Sequence, residues 1–94
     1  MKAITSKEDR TFNQAQRGIG AQRLIDDELV KAWFEGEHKR LVSEMLGAEI
    51  ADDQKRRDCA LQIKMLLRLK SHLEAEAVMG RAAVKTMENQ NGRG

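Results

Sequence analysis

Proline and tyrosine are absent from this sequence, and other ring-bearing or sulfur-crosslinking residues are scarce: one Trp, two Phe and one Cys in 94 residues. Without proline, the strongest helix breaker, any helix that starts is free to run on. A single cysteine excludes an internal disulfide and a cysteine-rich zinc site. No apolar run approaches the roughly 20 residues that span a bilayer. The first ten residues carry charge and lack the apolar core of a secretory signal. These absences predict one soluble, intracellular domain with no membrane contact and no cofactor.

Charge is plentiful, at 34% of residues, but its net value of +2 hides an uneven distribution. Residues 1–25 sum to +3, residues 26–52 to −5 and residues 53–94 to +4. Opposite charge favours the middle and last parts lying side by side.

Residues 1–22 are polar, with Ile4, Phe12 and Ile19 at no helical or strand period and Gly18 and Gly20 as breakers, and they make up most of the segment 1–25 that precedes the first expected helix. They read as an extended, flexible basic arm. Residues 89–94, rich in Asn and Gly, read as a disordered tail. Between them, residues 26–88 carry two helical patterns. Leu29, Val30, Trp33, Phe34, Leu41, Val42, Met45 and Leu46 recur at helical spacing and predict a helix over 26–46. Asp26 or Asp27 would cap it, and Gly47 would end it in a left-handed conformation. A short link precedes the next cap, Asp52 or Asp53, and short links join antiparallel neighbours. The second helix is expected over 53–88, and residues 53–79 alone would measure about 40 Å. The predicted fold is all-α: an antiparallel helical hairpin with a long second helix and an extended N-terminal arm.

The second helix carries more apolar surface than one partner covers. On a wheel of about 100° per residue, with Cys59 at zero, Ala60, Ile63 and Leu67 spread to one side. Leu61, Met65, Leu66, Leu69 and Leu73 spread to the other, and the whole arc is roughly 260°. A helix packed on a single neighbour needs an apolar stripe only somewhat over 100° wide. Leu61, Met65 and Leu69, at i, i+4 spacing, therefore need another cover: a second copy, a larger protein, or the arm folding back with Ile4, Phe12 and Ile19. Burying each would contribute about 1.5–3 kcal/mol before association costs. A two-helix unit of this size is marginal without such help.

Catalytic chemistry finds no footing. His38 and His72 are the only imidazoles; His38 has no ligand one turn away, and His72 has only Glu76. Cys59 lies on the apolar face with no His on its helix to activate it, and reads as a small buried hydrophobe. The Asp26/Asp27 and Asp52/Asp53 pairs sit where caps belong. Gly18 and Gly20 lack the spacing, lysine and preceding strand of a phosphate loop. The chain is expected not to be an enzyme.

Basic side chains recur at Lys55, Arg56, Arg57, Lys64, Arg68 and Lys70, and in the arm at Lys2, Lys7, Arg10, Arg17 and Arg23. Phosphate contacts use such residues. With acids interleaved and almost no aromatics for base stacking, nucleic-acid binding is not the favoured reading. Trp33 and Phe34 are the strongest anchors. As neighbours they point about 100° apart, so either one faces the second helix and the other faces outward as an interface hot spot, or both lie in the hairpin core.

Trp33–Phe34, the polar stretch before Leu41, the short link 47–52 and the run from Cys59 to Leu73 together resemble small helical-hairpin proteins of tailed bacteriophages, whose reading frames sit among head and portal genes. The similarity spans about two thirds of the chain, leaves out arm and tail, and implies a virion or assembly role without chemistry. The expected partners are a larger protein assembly, a phage head or portal, or further copies of the chain. The expected location is the virion, reached through the host cytoplasm. Expected contact residues are Trp33, Phe34, Leu61, Met65 and Leu69, with Arg10, Arg17 and Arg23 in the arm. Two other roles fit the same residues: a small nucleic-acid-binding regulator of a phage or mobile element, and a helical inhibitor or antitoxin of one protein.

Overall fold

A computed structural model describes residues 7–92. Among them are three helices and no strand: α1 (Lys7–Asp26), α2 (Glu28–Leu46) and α3 (Asp53–Gly92). The fold is all-α, as expected. At 40 residues, α3 is about 60 Å long. The chain divides into two compact units. One holds α1 and the part of α3 from Leu73 onward; the other holds α2 and the part of α3 up to His72.

The α2–α3 unit is the expected hairpin. Asp27 caps α2 from an extended conformation, with φ −70° and ψ 123°. Its carboxylate Oδ1 accepts from the backbone N–H groups of Leu29 at 2.8 Å and Val30 at 3.0 Å. These donors have no partner within the helix, and the negative charge complements the positive helix end. Asp27→Ala is expected to lower stability by about 1 kcal/mol, read as a shifted urea midpoint; Asp27→Ser should restore most of it.

The other end of α2 closes differently from the left-handed stop expected there. Gly47 is right-handed, with φ −83° and ψ −3°, and its N–H donates to Ser43 O at 2.9 Å. Asp52 caps α3 through Oδ1, which accepts from Lys55 N at 3.1 Å. Arg56 then clasps the link: its guanidinium donates to Glu49 O at 2.7 Å and Ile50 O at 2.5 Å, and pairs with Asp53. Half-buried Arg56 is thus a structural residue, not a free phosphate ligand. Within this unit Leu41 of α2 and Cys59 and Leu66 of α3 are buried, with Phe34, His38, Val42, Met45, Ala60 and Ile63 half-buried beside them. On α2, Arg40 donates to Glu37 at 2.8 Å and to Glu44 at 2.9 Å. The hydrogen bond from Arg40 holds the Glu37 carboxyl below its ordinary pKa.

The α1 unit corrects the largest sequence expectation. Residues 7–25, read as part of an extended arm, are helical, within α1. Gly18 and Gly20 do not interrupt it. Ala15, Gly18 and Ala21 are buried, as are Ala77, Gly80 and Ala83 of α3. A Cβ built on Gly18 would lie 2.3 Å from the Gly80 Cα, and one on Gly80 would lie 2.4 Å from the Gly18 Cα. The two backbones touch at this point, and only glycine on both sides allows it. Lys7, Arg10 and Gln14 share a groove of about 410 Å³ with Met79, Ala83 and Thr86. Lys7 and Arg10, well before Gly18, thus lie near Ala83 and Thr86, after Gly80, as in an antiparallel pair. Arg17 and Gln14 reach Glu76 at 3.5 and 3.4 Å, and Arg81 donates to Gln22 at 2.7 Å. The expected tail is also partly helical, since α3 continues through Gly92. Lys2 and Ile4 of the expected arm, and Arg93 and Gly94 of the expected tail, lie outside the described residues.

Candidate docking surface

Both units have thin cores. Among the described residues the buried apolar ones are Ala15, Ala21, Leu41, Cys59, Leu66, Ala77 and Ala83; of these only two are leucines, and none is aromatic. Much of the larger apolar surface stays in solvent. On α3 within the hairpin, Leu61 is 61% exposed, Met65 59% and Leu69 48%. The i, i+4 spacing of these residues places them at roughly 200–280° on the same wheel, a stripe centred about 110° from buried Cys59 and Leu66. Phe12 and Ile19 of α1, the apolar residues of the expected arm that lie among the described residues, are themselves exposed. A contiguous apolar stripe in water is where a soluble protein docks on something else.

Trp33 and Phe34 divide their roles. Phe34 is half-buried in the hairpin, whereas Trp33 is 53% exposed. Their rings meet edge to face, with centroids 5.3 Å apart and planes at 80°. The pairing of a positive ring edge with a negative face favours this arrangement of the two rings. A large aromatic, packed edge to face on its neighbour and half in solvent, has the character of an interface anchor. Leu29, one turn earlier on α2, is 80% exposed, and Leu46 and Ile50 at the hairpin tip are 77% and 93% exposed. Leu29 and Leu46 belong to the apolar residues that recur at helical spacing, and that spacing alone does not separate an inward from an outward apolar stripe.

Trp33, Phe34, Leu61, Met65 and Leu69 thus fall in one unit, while Arg10, Arg17 and Arg23 fall in the other. Arg17 is engaged at home: it reaches Glu76 and donates to Gln14 at 2.8 Å. Arg10 and Arg23 are exposed, with Arg10 on the rim of the α1–α3 groove.

Elsewhere, Cys59 is a free thiol, 3% exposed. His38 is half-buried and His72 exposed. Among the described residues, no three His, Cys, Asp or Glu side chains gather as a metal site requires, and no helix is long and apolar enough to cross a membrane. Comparison of the chain with protein-family models, with curated proteins and with solved structures found no match.

Proposed function

We propose that this chain is a non-enzymatic structural or assembly protein, which docks through the apolar outer face of its α2–α3 hairpin. The observation carrying this reading is that Leu61, Met65 and Leu69 lie together on one face of α3, each about half or more exposed. Few aliphatic side chains are buried anywhere in the described chain, so the outer face is as rich in large apolar groups as the core. A protein whose apolar surface faces water gains more from a partner than from its own packing. Trp33, exposed on α2, supplies an aromatic anchor within the same unit, and Arg10 and Arg23 of the α1 unit carry positive charge suited to an acidic partner surface. The resemblance of the hairpin to small tailed-phage proteins supplies the setting: the head or portal vertex of a virion, with assembly in the host cytoplasm.

The test is incorporation. Leu61, Met65 and Leu69 are replaced together by serine, and particles produced with the parent or the variant chain are purified and analysed by quantitative mass spectrometry. The parent is expected in stoichiometric amount in the particle. The variant is expected to stay helical and soluble but to fall at least tenfold in the particle fraction. A parent chain absent from particles, or a triple variant incorporated like the parent, refutes the reading.

A further inference from the structure

We infer that the occupant of the α3 outer face is a second copy of this chain, paired antiparallel about a two-fold axis at Met65. The inference rests on the docking role proposed above and names its partner and register. The face reads alike from both ends. Leu61 and Leu69 lie four residues either side of Met65, and Asp58 and His72 lie seven residues either side. On an ideal helix all five fall within an arc of about 80°. Asp58, Leu61, Met65, Leu69 and His72 are all exposed and all belong to one unbroken helix.

A two-fold interface presents the same patch twice, so residue i meets residue j and j meets i. With the axis at Met65, each Met65 faces its own copy and each Leu61 lies level with the partner's Leu69. Each Asp58 lies level with the partner's His72. The carboxylate, which accepts from Gln54 at 2.8 Å within its own chain, then has an imidazole N–H donor at its own height on the facing helix. Pairing the copies in parallel would instead set Asp58 against Asp58 and His72 against His72. A carboxylate facing a carboxylate is unfavourable, whereas a carboxylate facing an N–H donor is not, so the ends of the stripe select the antiparallel arrangement and apolar spacing fixes its register. Methionine suits the axis, because its unbranched, polarizable side chain adapts to a copy of itself. Lys64 and Arg68 lie at the edge of the stripe, about 60–100° from Met65 on the wheel. From there their long side chains reach solvent on either side of the seam.

Single cysteines read the register. Buried Cys59 leaves the introduced thiol as the accessible one. Full-length Met65→Cys, Leu61→Cys and Leu69→Cys variants are oxidised with glutathione disulfide and run on non-reducing gels, after circular dichroism has matched each to the parent. A disulfide needs Cα atoms about 4.4–6.8 Å apart. Met65→Cys is expected to convert mostly to linked dimer. Leu61→Cys and Leu69→Cys, whose like positions would lie about 12 Å apart along the axis, should link to themselves at least tenfold less. Mixing those two, one of them isotope-labelled, should give the crossed dimer. A parent chain that is monomeric by light scattering at tens of micromolar overturns the inference. So does a Met65→Cys chain that stays unlinked, or a Leu61→Cys chain that links to itself as fast as Met65→Cys, the mark of parallel pairing. If linking fails while the triple-serine variant is still lost from particles, the docking face stands and the self-pairing falls. If the triple-serine variant is incorporated normally, the docking role itself falls.

Discussion

Replacing Gly80 by valine is expected to cost about 3 kcal/mol or more, the upper end of what overpacking a tight contact costs. The reason is the meeting of two backbones. Even the first side-chain carbon would stand 2.4 Å from the Gly18 Cα and 3.1 Å from the Gly18 N. Neither atom can rotate away as a side chain would, so α1 must move off α3, and the contacts of Ala15, Ala21, Ala77 and Ala83 loosen with it. Glycine is itself about 1 kcal/mol worse than alanine inside a helix, so the change recovers part of that and still loses. Gly36 provides the opposite case. A Cβ there meets nothing within 4 Å, so Gly36→Ala should gain up to about 1 kcal/mol from helix propensity alone. Urea titrations followed at 222 nm separate the two by the sign of the midpoint shift. Combining Gly18→Val with Gly80→Val should cost far less than the sum, because the first substitution already forces the helices apart. A Gly80→Val protein as stable as the parent would mean that α1 does not pack on α3 at this point.

The same contact explains what was legible in the sequence and what was not. The hairpin was legible because its packing residues are large: Phe34, Leu41, Val42, Met45, Ile63 and Leu66 mark a 3.6-residue period against charged neighbours, and Asp27 and Asp52 mark the helix starts. Helix α1 was not legible because its buried stripe is Ala15, Gly18 and Ala21. Such small residues leave almost no hydropathy signal, and glycine inside a helix reads as a breaker when the close approach that requires it is unknown. The pattern that identified α1 was present, as small residues at three-residue steps in two segments, but nothing in either segment alone says that they meet. The outward stripe of Leu61, Met65 and Leu69 was legible for a simpler reason: the apolar arc of α3 is wider than one neighbouring helix covers. Gly47 shows a different limit. Its place at the end of α2 was readable, whereas its right-handed conformation was not, because a glycine is free to adopt either hand.

Leu41→Ala is expected to destabilise the protein by about 2–5 kcal/mol, the range for removing a buried leucine and leaving a cavity. It is the one buried residue that α2 contributes, at 3% exposure, and the other large residues on that face of α2 are only half-buried. Domains of this class are stable by only about 5–15 kcal/mol, and a core this thin puts the parent toward the low end. The variant should therefore show a substantially lowered melting temperature and a partly unfolded fraction at 37 °C. Trp33→Ala separates fold from docking. Half of that side chain already faces water, so its removal should cost about 1 kcal/mol or less in stability, from the lost edge-to-face contact with Phe34. As the anchor of the proposed interface it should weaken assembly by far more than it weakens the fold, by about 2 kcal/mol or roughly thirtyfold. Measured together, thermal midpoints and association constants should thus rank the two variants in opposite order. If Trp33→Ala lowered the melting temperature as far as Leu41→Ala does, the indole would belong to the core and the docking face would lose its anchor.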